Sequence, residues 1–282
     1  MSALHAELEA LLRALPDADA PAEATRIVAA AREAGEAGAA ERARAMAAQR
    51  LAGQPLGYVI GRQSFMGIEL LAAPGALVPR TETELLGNTA LAAIRARGNE
   101  RPLLIDMCCG SGNLACALAH HLPLANIWAA DLTDGCVSLA RRNVEHLGLA
   151  DRVHVVQGDL FAALAGAGLE GRVDVIVCNP PYISETRLAA DRAALLEHEP
   201  REAFDGGPYG LSIHQRVVKE ALPFLRADGE LLFEFGLGQD KQLVFVFSRA
   251  RAYEAPRLVA NEAGEPRVAH ARRKAGQAAS YS

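Results

Sequence analysis

Four consecutive residues, Asn179-Pro180-Pro181-Tyr182, carry the most distinctive chemistry in the chain. They follow a short apolar run, Val173 to Cys178, that reads as a buried strand. Two successive prolines fix φ and remove two backbone donors. A polar Asn and an aromatic Tyr are therefore presented on a stiff support, with main-chain carbonyls free to accept. Such a turn can hold a planar amino or amide group. Asn179 Oδ1 and the Pro180 carbonyl would accept its N–H groups, and Tyr182 would lie over the group or wall the slot. The structural alternative is that Asn179 caps its own loop. The tetrad alone does not choose between an adenine amine and a side-chain amide.

The residues that could hold a small ligand fall at other strand ends. Asp106-Met107-Cys108-Cys109-Gly110-Ser111-Gly112 closes one expected strand and opens a helix. Gly110 and Gly112 let the backbone pass close to a ligand, and a helix N-terminus offers unpaired N–H groups. Asp131, followed by Leu132, ends the next strand, where a carboxylate can accept from both ribose hydroxyls of a nucleoside. After the third strand, Asp159 can accept from an adenine amine while Leu160 packs on the ring. A GxG with a downstream acid also fits a dinucleotide dehydrogenase. Against that, Ala115 replaces the third glycine, Asp106 precedes a turn that would face a pyrophosphate, and Asp159 adds an acceptor for the base. An acid at that turn suits a cationic amino group beside a sulfonium. The cofactor expected is S-adenosyl-L-methionine.

The elements needed to position these residues alternate from residue 102 onward. Strands are expected at 103–107, 127–130, 153–156, 173–178 and 230–235, with helices at 112–122, 133–147 and 213–225. A further helix and one or two strands follow from about 238. This is the pattern of an α/β, doubly wound, mostly parallel sheet, whose ligands sit at the carboxyl ends of the strands. Residues 1–55 are helical, with Leu8, Leu11, Leu12 and Leu15 on one face closed by Pro16, and a break at Gly35 and Gly38. That segment either recognises a partner or completes the core. Residues 56–80, with β-favouring runs from Tyr58 and from Ser64, read as a hairpin linker. Residues 81–282 then form the main domain, which opens on a capping box at Thr81 and Glu84.

Composition narrows the class. Half of the 282 residues are apolar, enough for a globular core, and the net charge of −5 comes without a basic stripe, against a duplex nucleic-acid binder. No run is long enough to span a membrane and no secretory signal opens the chain, so neither membrane nor export is expected. The five cysteines have no zinc-ligand spacing and read as buried thiols of a reducing cytoplasm, with no metal expected. His120, His121 and His198 read as surface or core histidines. Glu197 and Glu199 near Arg201 read as a loop-stabilising cluster.

With these residues in place, the chain resembles the protein-(glutamine-N5) methyltransferases, which modify peptide chain release factors and, in a sister branch, a ribosomal protein. The resemblance covers nearly the whole length. It rests on the entry segment Gln49 to Gly61, the linker Val78-Pro79-Arg80-Thr81-Glu82-Thr83-Glu84, the D-x-x-x-G-S-G turn, Asp131, Asp159 and the tetrad. Glu199-Pro200-Arg201-Glu202-Ala203-Phe204 and Gly207-Pro208-Tyr209-Gly210-Leu211 complete it. It implies a class I methyltransferase domain, an N-terminal helical substrate-recognition domain and a hairpin between them. It also implies that 108–112, Asp131, Leu160 and Asn179 contact the cofactor, while Asn179, Pro180, Pro181 and Tyr182 hold the target glutamine. Two departures stand out: Cys108 replaces the usual first glycine, and the usual P-R-P-E-T-E reads P-R-T-E-T-E. The expected partner is a protein, with release factor favoured over a ribosomal protein or another acceptor. The expected working form is a monomer without stable nucleic acid.

Overall fold

Small side chains build the N-terminal part. Helices α1 (Ala3–Leu12), α2 (Ala20–Glu33) and α3 (Ala39–Leu51) pack through Leu8, Leu12, Ala24, Ile27, Ala43 and Ala47, all essentially buried. Leu11 lies off that stripe and is 45% exposed, so it does not share the face expected for it. Asp19 accepts from Ala22 N and caps α2, and Gly38, in the left-handed region at φ 74°, starts α3. The computed structural model describes residues 3–16, 18–183, 199–200, 204 and 210–275. Glu197, His198, Arg201, Glu202, Ala203 and Gly207 to Tyr209 lie outside the described residues.

Two local expectations are corrected. The run Tyr58 to Gly61 is not strand: Leu56–Ile60 forms a single helical turn, α4. Pro55 sets φ at −55° before it, Gly61 closes it at φ 75°, and Gly57 sits too close to Val78 for any side chain. Strands β1 (Arg62–Phe65) and β2 (Ile68–Leu71) then form the hairpin, turning through Met66 and Gly67, both with positive φ. The capping box does not form either. Thr81–Thr83 makes a 3₁₀ turn before α5 (Glu84–Arg97), and Glu84 Oε1 instead accepts from Met66 N at 2.8 Å. The unpaired N–H of the hairpin turn outcompetes the helix end for that carboxylate.

The seven-stranded sheet has the order β5-β4-β3-β6-β7-β9-β8, with β3 to β7 parallel and β9 antiparallel between β7 and β8. Its strands are β3 (Leu103–Met107), β4 (Asn126–Asp131), β5 (Val153–Gln157), β6 (Val173–Cys178), β7 (Leu225–Glu234), β8 (Arg257–Ala260) and β9 (Pro266–Arg272). Helices α6 (Asn113–His121) and α7 (Asp134–His146) join the first strands; α8 (Ser212–Glu220) and α9 (Asp240–Ala250) flank β7. The helix expected to reach Leu225 stops at Glu220, because Pro223 lacks the donor to continue it, and β7 starts five residues early. All six residues of β6 are buried, as befits a central strand covered on both faces. On one face Leu104 and Ile127 pack with α5, α6 and the hairpin residues Phe65, Ile68 and Leu70. On the other, Ile105, Ile176 and Phe233 pack with Val217 of α8 and Phe247 of α9.

Candidate active site

The strand order reverses between β3 and β6. Met107 pairs with Cys178, so Cys108 and Asn179 leave adjacent strand ends together. That switch point is where open α/β sheets leave a crevice. A cleft of about 1020 Å³, partly open to solvent, opens there. Its walls come from the linker (Leu77, Pro79, Arg80, Thr83), the turn after β3 (Cys108 to Ser111), the end of β4 (Asp131, Leu132) and the end of β5 (Asp159, Leu160). Asn179, Pro181, Pro200 and Ile213 close the circuit.

On the β3 side the turn is pinned by backbone groups. Cys109 N donates to Ala130 O, and Gly110 N to Asp131 Oδ2 at 2.9 Å. The other oxygen of Asp131 accepts from Thr133 N. A carboxylate has about four lone-pair positions, so Asp131 keeps acceptor capacity toward the cleft. Gly112 has φ 78°, and a Cβ there would stand 3.2 Å from Ala140 Cβ, so the turn presses directly on α7. Cys108 occupies a left-handed conformation, φ 59°, that its side chain disfavours. The thiol of Cys178 beside it is buried, which pushes its pKa up, as does the nearby Cys108. All five cysteines are free and four are buried.

Asp106 is placed differently from the other expected ligands. It is fully buried on β3 and absent from the cleft wall; Oδ2 accepts from Ala115 N at 2.9 Å and holds the start of α6. Burial raises its pKa to about 8, against the pull of the Ala115 N–H and with a contribution from the charge of Asp131. Oδ1 has no hydrogen-bond partner. Leu132 is 59% exposed, while Leu160, at φ 47°, is buried, and both line the cleft. Together they offer two apolar surfaces to a planar ring. Asp159 Oδ1 forms an ion pair at 2.9 Å with Arg216 of α8, a residue the sequence did not single out.

The tetrad is held by side chains from distant segments. Asn179 Nδ2 donates to Thr83 Oγ1 at 3.0 Å. Pro180 is buried and Pro181 lines the cleft. Tyr182 does not line it: its hydroxyl donates to Glu234 Oε1 at 2.9 Å, Arg267 lies 5.8 Å from the ring centre, and the Tyr182 carbonyl accepts from Gln239 Nε2. Glu234 is 3% exposed, and burial raises its pKa. Glu199 accepts from Val78 N and pairs with Arg80 of the linker. Sequence reasoning missed Thr83 as a partner of Asn179, and it missed Glu234, Arg267 and Gln239. The visible signal was a carboxylate inside the apolar run Leu231-Leu232-Phe233-Glu234-Phe235.

The family model described as "Methyltransferase small domain" matches residues 87–207. The chain is 37% identical over 206 residues to a release factor glutamine methyltransferase of Geobacter sulfurreducens, covering 73% of this chain and 69% of that one. With the protein of the same name from Streptomyces coelicolor it shares 32% identity over 270 residues, 96% of this chain and 87% of the other. The chain belongs to the release factor glutamine methyltransferase family. A solved methyltransferase from Pyrococcus furiosus has the same fold, with TM-score 0.53 and 16% identity, over 81% of this chain and 99% of that one.

Membership of this family makes the protein an S-adenosylmethionine-dependent methyltransferase. The cleft fits that cofactor on its own terms. It supplies a carboxylate with spare acceptor positions at a strand end, two leucines on its wall, one exposed and one buried, and a glycine turn at a helix start. The residues that could hold it are Cys108, Cys109, Gly110, Ser111, Asp131, Leu132, Asp159 and Leu160.

Proposed function

We propose that the protein methylates the side-chain nitrogen N5 of a protein glutamine, with the Gly-Gly-Gln glutamine of a peptide chain release factor as its substrate. The observation that carries the proposal is the placement of Asn179 and Pro181 in the same cleft as Asp131 and Leu132. The two relatives described above carry this activity in their names, and both span most of their length with this chain.

Bound S-adenosylmethionine supplies a methyl group on a sulfonium sulfur. An amide nitrogen is a poor nucleophile, because its lone pair is delocalised into the carbonyl, so the chain must orient that nitrogen and exclude water. Asn179 Oδ1 and the Pro180 carbonyl accept its two N–H groups. Pro180 has no N–H of its own to compete. Acceptors fixed beforehand also stabilise the positive charge that develops on nitrogen. The N-methylated amide then loses its proton to water, and no general base is required. Pro181 walls the slot, and Tyr182 stiffens the tetrad from behind through Glu234. Asp131 would hold the ribose hydroxyls and Asp159 and Leu160 the adenine, while Asp106 acts through the start of α6.

The reading is tested by incubating the protein with labelled methyl donor, a recombinant release factor and ribosomal proteins, then locating the label by mass spectrometry. Label on the Gly-Gly-Gln glutamine is expected. Label confined to a ribosomal protein, or no protein label at all, would replace the substrate assignment.

A further inference from the structure

A side-chain amide is nearly symmetric in shape, and the clamp works only if Asn179 shows oxygen, not nitrogen, to the acceptor. Resting on the amide-clamp reading, the orientation of that amide traces to one buried side chain. Asn179 Nδ2 donates to Thr83 Oγ1 at 3.0 Å, across 96 residues of sequence. Thr83 is 2% exposed and shares the cleft wall with Asn179.

In the bond between Asn179 and Thr83, the Thr83 oxygen accepts from the NH2 end of the amide, so the amide keeps its nitrogen on Thr83 and leaves its oxygen for the acceptor. A flipped Asn179 would instead point donors at the N–H groups of the substrate. We infer that Thr83 is a positioning residue that holds Asn179 with Oδ1 toward the acceptor, and so selects a substrate that donates N–H. Thr83 does this from the linker that resemblance to the family picks out.

The test compares Thr83→Val, Thr83→Ser and Asn179→Ala, measuring kcat and KM with a release factor as acceptor and cofactor affinity by calorimetry. Thr83→Val keeps the shape and loses the hydroxyl, so kcat should fall about tenfold or more, the effect of one hydrogen bond to a critical group. Thr83→Ser should restore kcat to within about twofold, and both variants should bind cofactor within about twofold of the parent. Normal kcat in Thr83→Val with an inactive Asn179→Ala overturns the inference and leaves the clamp standing. An active Asn179→Ala overturns the clamp itself. Equal losses in Val and Ser variants, or a loss of cofactor affinity in Thr83→Val, would assign Thr83 a packing role and overturn the inference.

Discussion

Along the cofactor half of the cleft, the bonds around the turn after β3 mostly join main-chain N–H groups to a carboxylate two to twenty-one residues away, with Asn143 on Ser111 O and the Asp159–Arg216 pair as longer links. Asp131 takes Thr133 N two residues on and Gly110 N twenty-one residues back; Asp106 takes Ala115 N nine residues on. Along the acceptor half they span 52 to 96 residues of sequence, most of them from side chain to side chain. Asn179 meets Thr83, and Tyr182 meets Glu234, Arg267 and Gln239. The first half is secured by the βα units themselves, which form it whenever the strand and helix form. The second exists only once the whole sheet is assembled, so its geometry depends on tertiary packing. The cofactor half should tolerate side-chain changes that leave its backbone bonds alone. The acceptor half should not.

The sharpest way to break that contrast is Asn179→Ala. Methyl transfer should drop by roughly 10²–10³, as when a preorganised group facing developing charge is lost, with only a modest loss of cofactor affinity by calorimetry. Asp131→Ala addresses the other half. Two charge-assisted bonds to backbone N–H groups disappear along with the contacts to the ligand, so cofactor affinity should fall about 10–100-fold. If it does not, the turn is held by something other than Asp131.

Asp106 gives a smaller effect with a defined sign. Its pKa is raised from 3.8 to about 8 by burial, so the folded state favours the protonated acid. The stability this confers is fully present below pH 3.8 and is lost as pH rises through about 8. Asp106→Asn keeps an acceptor for Ala115 N and removes the titration. Urea midpoints of the variant should vary less than those of the parent across that window. The smallest effect is expected at Cys108. A non-glycine residue in the left-handed region costs about 1–2 kcal/mol, and glycine returns roughly 0.5–1 kcal/mol as unfolded-state entropy. Cys108→Gly should therefore stabilise by about 0.5–1 kcal/mol in denaturant unfolding, with cofactor binding retained.

The same contrast governs what could be read from the sequence. The parallel sheet, the strand ends at Asp131 and Cys178 and the turn at 106–112 were legible, because hydrophobic periodicity and glycine spacing are local properties. Leu56–Ile60 misled because β-branched residues were read as strand, while a proline start, a glycine stop and the close contact with Val78 decided for a helical turn. Thr81 and Glu84 had the spacing of a capping box, but Glu84 was drawn to Met66, a partner that only the hairpin brings near. Thr83 was named only as part of a linker motif. Its partner is 96 residues away, and no periodicity links the two positions.

Asn143 on α7 has a consequence for how the small helices are aimed. It is fully buried, its Oδ1 accepts from Leu71 N, and its Nδ2 donates to Leu71 O and to Ser111 O. One side chain thus ties the last residue of the hairpin to the turn beside the cofactor. The hairpin takes its bearings from that turn, much as a jig is set against a reference edge, and the helices before it inherit the setting. The turn cannot shift against the end of the hairpin without straining three hydrogen bonds of a single buried asparagine.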